Sequence, residues 1–524
     1  MGQYLGLDSS TQSLTAILID TDRNQVILDR SINFGERLPQ YGSPNGFLQN
    51  DDPRIKHSNP LMWVEALDLL LGELRASGVD LSKVRGISGA GQQHGSVYLQ
   101  KPLHEVGAWS PDKPLAEQVQ PLLSRVSAPI WMDSSTSAEC AEIAAALGGD
   151  SQVVSITGSR AIERFTGPQI RKFSKDAPEA WAKTREIHLV SSFITSLLVG
   201  TTAAIDFGDG AGMNLFDLAR GKWSDAMLKA TAPGLAEKLP PLMPSTTQVG
   251  TLAEYFSSKY GLPARTPVIA FTGDNPSSLV GMGATAPGTM VISLGTSDTV
   301  FAAMSNPRTD PRGYGHVFGN PMGGFMSLIC FANGSLAREA VARKHSLDWG
   351  EFSRAILERT APGNQGNLLL PYFVPEITPK LGKPSFCVFG SAEFTSERDP
   401  AAAARAVVEA QALSMRRHAD WIGEKPVRIL VTGGASRNPG ILRILADVFQ
   451  AEILPLSVGN SSALGGALRA AQAVEKLPLE KLYADFVKPD EQHRVLPNPA
   501  ARAAYDALGQ EFDRRIGELL GSKG

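Results

Sequence analysis

The sequence predicts an α/β protein built as two related domains, and three observations carry that expectation. Two strand–turn–strand hairpins of one design stand far apart, at residues 5–19 and 292–304. Apolar strands alternate with helical segments along the chain, which predicts mixed sheets covered by helices. The chain also has 524 residues, too many for one hydrophobic core, so two domains of roughly 200–270 residues are the natural division.

The first hairpin, residues 4–20, leads into a third strand near residues 25–28. A polar loop rich in Gly, Asn, Asp and Pro fills residues 39–60, and a helix with a broad apolar side follows over 61–76. A buried strand at 84–88 runs into Gly89-Ala90-Gly91-Gln92-Gln93-His94-Gly95, and another strand covers 96–99. A long helix is expected over 179–198, and residues 208–214 are too Gly-rich for regular structure. The strand at 267–271 ends in Thr272-Gly273-Asp274-Asn275-Pro276. It is taken as the start of the second domain, giving domains 1–266 and 267–524. The second half then reads as a hairpin, a long helix over 401–423, and a strand at 427–431 ending in Thr432-Gly433-Gly434-Ala435. Helices follow at 440–449, 463–474 and 500–520. Pro439 and Pro499 suit helix starts.

Composition excludes several classes. Net charge is −3, so neither nucleic acid nor anionic lipid is attracted in bulk. The three cysteines, Cys140, Cys330 and Cys387, are too far apart for a zinc motif or a disulfide framework. A reduced, cytoplasmic setting is expected, without signal peptide or membrane span.

Each hairpin turn, Asp8-Ser9-Ser10-Thr11-Gln12 and Gly295-Thr296-Ser297-Asp298, gathers backbone N–H groups and hydroxyls at one spot. That arrangement suits a phosphate, although such residues are also common in ordinary turns. The pairing of two such turns favours a nucleotide. Asp8 is either a turn cap or a carboxylate facing a phosphate-bound magnesium ion; the second hairpin favours the metal. Asp274 ends a strongly apolar strand and is either a general base or the N-cap of the next helix, and both roles can coexist. Gly433-Gly434 lets a ligand approach the backbone, or serves only packing. Asn438 offers amide groups suited to a purine or ribose. Gln92, Gln93 and His94 offer donors and acceptors matched to a polyol, while Arg160, Glu163 and Arg164 form a charged patch whose simplest reading is a solvated helix face.

In this order, the hairpins, the Gly-Asp-Asn turn and the Gly-Gly-Ala turn resemble the FGGY-type sugar kinases. These belong to the actin-like ATPase superfamily, with two ribonuclease-H-like domains around a central cleft. The resemblance covers essentially the whole chain. Its closest match is the animal-type subgroup acting on D-xylulose, through Trp131-Met132-Asp133-Ser134-Ser135-Thr136, Thr157-Gly158-Ser159-Arg160, Glu163-Arg164-Phe165-Thr166-Gly167, Asp209-Gly210-Ala211-Gly212-Met213-Asn214 and Phe271-Thr272-Gly273-Asp274-Asn275-Pro276. The resemblance implies ATP and Mg2+ as cofactors and Asp274 as general base. His94, Arg164 and Asn275 then bind the sugar, and Asp8 acts on Mg-ATP with Ser10, Thr11 and Gln12 near the phosphates. Gly295 and Thr296 form the second phosphate loop; Gly434, Asn438 and Trp349 line the adenosine site. Gln93 departs from the Met of bacterial members. The expected reaction is phosphorylation of D-xylulose at its 5-hydroxyl by a monomeric or homodimeric enzyme. The alternatives are a kinase for another ketose or polyol, and a nucleotide-gated binding protein of the same superfamily.

Overall fold

Two open sheets share one strand plan. The computed structural model describes residues 2–521. In the first sheet, β1 (Gln3–Ser9), β2 (Ser13–Asp20) and β3 (Gln25–Asn33) form an antiparallel meander. On its other side β1 pairs in parallel with β4 (Val84–Gly91). Beyond β4 lie β5 (Gln248–Thr251) at the edge and β6 (Pro267–Ile269) inside it, β6 parallel to β4 and β5 antiparallel to β6. The second sheet contains β7 (Thr289–Leu294), β8 (Asp298–Met304), β9 (His316–Gly319), β10 (Phe325–Phe331), β11 (Arg428–Thr432) and β12 (Glu452–Pro455). Its order is β9-β10-β8-β7-β11-β12. Set aside the edge strands β5 and β9, and β3-β2-β1-β4-β6 matches β10-β8-β7-β11-β12 in order and direction. The two hairpins are therefore equivalent by topology.

The strand expected to open the second domain belongs to the first sheet: Val268 pairs with Ile87 in β4. Its apolar residues Val268, Ile269, Ala270 and Phe271 are buried there, so the strand completes the first sheet and the chain reaches the second only at β7. The helix expected over 179–198 is also divided. Residues Glu186–Leu189 form a strand antiparallel to Ser96–Leu99, between helices Pro178–Lys183 and Val190–Val199. Pairing with a ready strand edge outweighs local helix propensity here.

Local signals account for several helix starts. Asn59 accepts from the Leu61 N–H ahead of α1 (Pro60–Ala76), with proline in the first turn. Asp348 caps α3 (Trp349–Glu358), and Asp399 caps α4 (Pro400–Ala419). Asn438 caps α5 (Pro439–Phe449). Between the sheets, α2 (Asp274–Gly281) crosses α6 (Ser461–Glu475). A Cβ at Gly281 would stand 1.9 Å from the Ser461 carbonyl oxygen, and one at Gly465 would stand 2.0 Å from that of Ser277. Backbone meets backbone at this crossing, and only glycine permits it. The core around the second sheet reaches across to Tyr4, Ile17 and Ile19 of the first hairpin. Among the described residues, no helix is long and apolar enough to cross a membrane.

Candidate active site

Three parallel strand ends bring the first group of residues together. Asp8 pairs in register with Ala90 and Ser9 with Gly91; on the other side of the same strand, Thr272 pairs with Ala90 and Gly273 with Gly91. Asp8 and Asp274 thus flank the end of β4, from which Gln92, Gln93 and His94 continue. Carboxyl ends of parallel strands are where open α/β sheets bind ligands.

Asp274 is the first residue of α2, and Gly273 occupies the cap position. Its side chain does not cap the helix from outside. Asp274 Oδ1 instead accepts from the Asn275 N–H at 2.8 Å and from Asn275 Nδ2 at 3.1 Å, while Nδ2 also donates to Gln93 Oε1 at 3.0 Å. Burial, then the neighbouring Asp8 charge, pushes the Asp274 pKa up to about 7. A carboxylate tuned to that range is matched to proton abstraction near neutral pH.

Asp8 is also pushed upward by burial. Its Oδ2 accepts from Ser10 Oγ at 2.5 Å, whereas its buried Oδ1 has no hydrogen-bond partner. An orphaned carboxylate oxygen beside a hydroxyl-rich turn fits a divalent cation that keeps most of its own waters. No group of three or more metal-ligating side chains occurs among the described residues.

His94 is buried at a positive φ of 70°. Its ring stacks on Phe165, with centroids 4.3 Å apart, and Nδ1 lies 2.8 Å from the Gly212 carbonyl oxygen. A carbonyl only accepts, so Nδ1 carries the proton and Nε2 is left as an acceptor. Burial first, and Arg164 second, lower the His94 pKa to about 3, keeping the ring neutral. Arg164 is half-buried at a cavity of about 290 Å³ shared with Trp131 and Met132. Trp131 Nε1 in turn donates to Thr11 Oγ1 at 2.8 Å, tying this region to the first hairpin turn. Ser10 and Thr11 are half-buried in that turn and Gln12 is exposed.

The second group lines a cavity of about 850 Å³. Gly295 and Thr296 from the second hairpin, Gly434 and Asn438 from the β11–α5 turn, and Trp349 from α3 all reach it. The glycine pair divides its work. Gly433 has φ 91°, and a Cβ there would stand 2.4 Å from the Leu294 carbonyl oxygen; nothing lies within 4 Å of a Cβ at Gly434. Gly433 thus lets β7 and β11 close up, while Gly434 presents bare backbone to the cavity. Asn438 Oδ1 accepts from the Ile441 N–H as the α5 cap, leaving Nδ2, which lies 3.4 Å from the Trp349 carbonyl oxygen.

Some residues of these surroundings were not anticipated as site residues. Arg338 lines the large cavity and pairs with buried Asp298 through two bonds, 2.7 and 3.0 Å, bracing the second hairpin. Asp209 is fully buried, with Oδ2 accepting from Ser191 Oγ at 2.5 Å and Oδ1 unpartnered. Burial, then the charges of Asp206 and Asp274, push its pKa well above the usual carboxylate range. The Gly-rich segment around it was visible in the sequence, but its approach to Asp274 depends on tertiary packing.

Comparison with known proteins agrees with this geometry. Residues 3–281 match the N-terminal domain of the FGGY family of carbohydrate kinases, and residues 290–474 match its C-terminal domain. Xylulose kinase of Mus musculus is 41% identical over 519 residues, spanning 96% of this chain and 92% of the relative. Xylulose kinase 2 of Arabidopsis thaliana is 41% identical over 486 residues, spanning 89% and 86%. The crystal structure of xylulose kinase from Rhodospirillum rubrum superposes with a TM-score of 0.82 at 23% identity, covering 99% of both chains. Two sheets of one plan, two topologically equivalent hairpins and full-length similarity converge: the chain belongs to the FGGY family of carbohydrate kinases.

Proposed function

We propose that the protein transfers the γ-phosphoryl group of ATP to the 5-hydroxyl of D-xylulose, giving D-xylulose 5-phosphate. The observation that carries the reading is the placement of Asp274, with a pKa of about 7, at the strand ends beside Asp8 and His94. The 41% identity to the mouse xylulose kinase supports the choice of sugar. Asp274 accepts the hydroxyl proton as the bond to phosphorus forms, and Asn275 holds the base through its Oδ1. His94 Nε2 accepts from one sugar hydroxyl and Arg164 donates to another. Adenosine occupies the cavity beside Trp349, Gly434 and Asn438, and the hairpin turns around Ser10, Thr11, Gln12, Gly295 and Thr296 receive the phosphates. Asp8, through its unpartnered Oδ1, would hold Mg2+ together with the phosphates, and the ion would supply charge neutralisation during the transfer. Most of the rate gain then comes from positioning and fixed electrostatics. The three unpaired cysteines fit a reducing cytoplasmic compartment.

A coupled ADP-release assay over ketoses and polyols tests this. D-xylulose is expected to give the highest kcat/KM. A higher value with ribulose or a sugar alcohol would reassign the substrate. ATP hydrolysis that no sugar stimulates would point to a nucleotide-gated binding protein.

A further inference from the structure

The loop bearing Arg164 is stitched to the second sheet at its far edge. Arg160 Nε donates to the Gly313 carbonyl at 2.8 Å, and its Nη2 donates to that of Arg312 at 3.0 Å. The Arg160 guanidinium also lies over the Tyr314 ring, 5.5 Å from the centroid. Asp310 holds the receiving loop in shape by accepting from the N–H groups of Arg312, Tyr314 and Gly315. The chain then enters β9 at His316.

His316 Nε2 lies 3.3 Å from Arg164 Nη2, and its Nδ1 lies 3.2 Å from Ser159 Oγ. A guanidinium can only donate, so Nε2 is the acceptor and Nδ1 carries the proton toward Ser159. Burial, with Arg164 next, keeps His316 far below its ordinary pKa and therefore neutral; a protonated ring would repel the arginine. His316 also packs against Phe165, on whose other contact sits His94, with ring centroids 5.4 and 4.3 Å away. Among the described residues, His316 is the one hydrogen-bond partner of the Arg164 guanidinium, whose remaining donors are free for a ligand.

We infer that His316 is a positioning residue of the sugar site: from the edge strand of the second sheet, it fixes the direction of the Arg164 guanidinium toward the sugar. The sugar site is then assembled by both halves of the chain. Strand β9 pairs with β10, which pairs with β8 of the second phosphate hairpin. This inference rests on the assignment of Arg164 to the sugar.

The test is a double-mutant cycle on the full chain, reading KM for D-xylulose and KM for ATP separately. His316→Leu removes the acceptor while keeping apolar volume; His316→Gln places an amide oxygen near the position of Nε2. His316→Leu is expected to raise KM for D-xylulose about tenfold, the weight of one hydrogen bond to a charged group, with KM for ATP unchanged. His316→Gln should recover most of the loss. Combining His316→Leu with Arg164→Lys should add little to Arg164→Lys alone, because both act through one guanidinium. A wild-type sugar KM in His316→Leu, equal rises in both KM values, or independent multiplication of the two single effects would overturn the inference. A wild-type sugar KM in Arg164→Lys would instead overturn the underlying assignment of Arg164. Should His316→Leu fail to fold, Ser159→Ala removes the group that receives the Nδ1 proton. A rise confined to the sugar KM would support the inference, and an unchanged sugar KM would overturn it.

Discussion

Asp8 and Asp274 end neighbouring strands on opposite sides of Ala90 and Gly91, and the charge of Asp8 raises the pKa of Asp274. Two carboxylates so placed suit unequal tasks. One has an orphaned oxygen suited to a cation, and the other is tuned to take a proton. On the proposed reading, Asp8 would meet the phosphates only through such a cation, which would offset their mutual repulsion.

The first consequence is a pH profile. With Asp274 as base, kcat/KM should rise with pH through about 7, since only the ionised carboxylate accepts the proton. In Asp8→Asn the carboxyl of Asp274, followed by ¹³C titration of the unliganded protein, should titrate at lower pH because a like charge has been removed. An unchanged midpoint would remove Asp8 as a cause. Asp274→Ala should abolish sugar phosphorylation while ATP binding persists; near-wild-type turnover would sink the assignment.

The same shift makes a stability prediction of definite sign. Asp274 is held at about 7 when folded, above its unfolded value near 4. The folded state therefore binds the proton more tightly, and that stabilisation is full below about pH 4 and lost as pH rises through about 7. Asp274→Asn has no charge to bury, so its stability relative to wild type should grow between those limits and stay level above them. The ceiling of the difference is on the order of 4 kcal/mol. Urea unfolding at pH 4 and pH 8 measures it; equal midpoint differences at both pH values would contradict the burial of the ionised form.

The proposed nucleotide and sugar sites should separate in kinetics. Trp349 is 49% exposed at the rim of the large cavity and is steadied by a T-shaped contact with Phe352, centroids 5.4 Å apart. On the proposed assignment, Trp349 stacks on adenine. Trp349→Ala should raise KM for ATP about tenfold, about 1.4 kcal/mol, and leave KM for D-xylulose unchanged. A wild-type KM for ATP would remove Trp349 from the adenosine site.

Local chemistry made the hairpins legible, since apolar alternation and a polar turn set the Ser9–Leu14 and Leu294–Asp298 pairings without help from elsewhere. The Gly433-Gly434 turn and the helix start at Pro439 were readable for the same reason. What depended on distant partners was hidden. Residues Glu186–Leu189 carry helix-compatible residues and become a strand only because Ser96–Leu99 offers an edge. The strand Pro267–Ile269 looks like a domain start until its pairing with β4 is known. His316 gave no signal at all, because its meaning lies in Arg164, far away in the chain.

The crossing of α2 and α6 ties stability to the position of the proposed base, because α2 begins with Asp274. Gly281 and Gly465 face the carbonyls of Ser461 and Ser277 at separations no Cβ tolerates, and Ser277 Oγ donates to the Ser462 carbonyl at 2.7 Å. Nothing at this contact is the yielding end of a long side chain, so added volume must move a helix. Gly465→Val should therefore cost on the order of 2–3 kcal/mol in urea unfolding. It should also lower kcat, because displacing α2 displaces the base from the acceptor hydroxyl, where small shifts are costly. Gly517→Val, on the final helix at a position with nothing within 4 Å of a Cβ, serves as the control and should leave both unchanged. If Gly465→Val loses stability yet keeps wild-type kcat, the crossing supports the fold alone and does not set the position of Asp274.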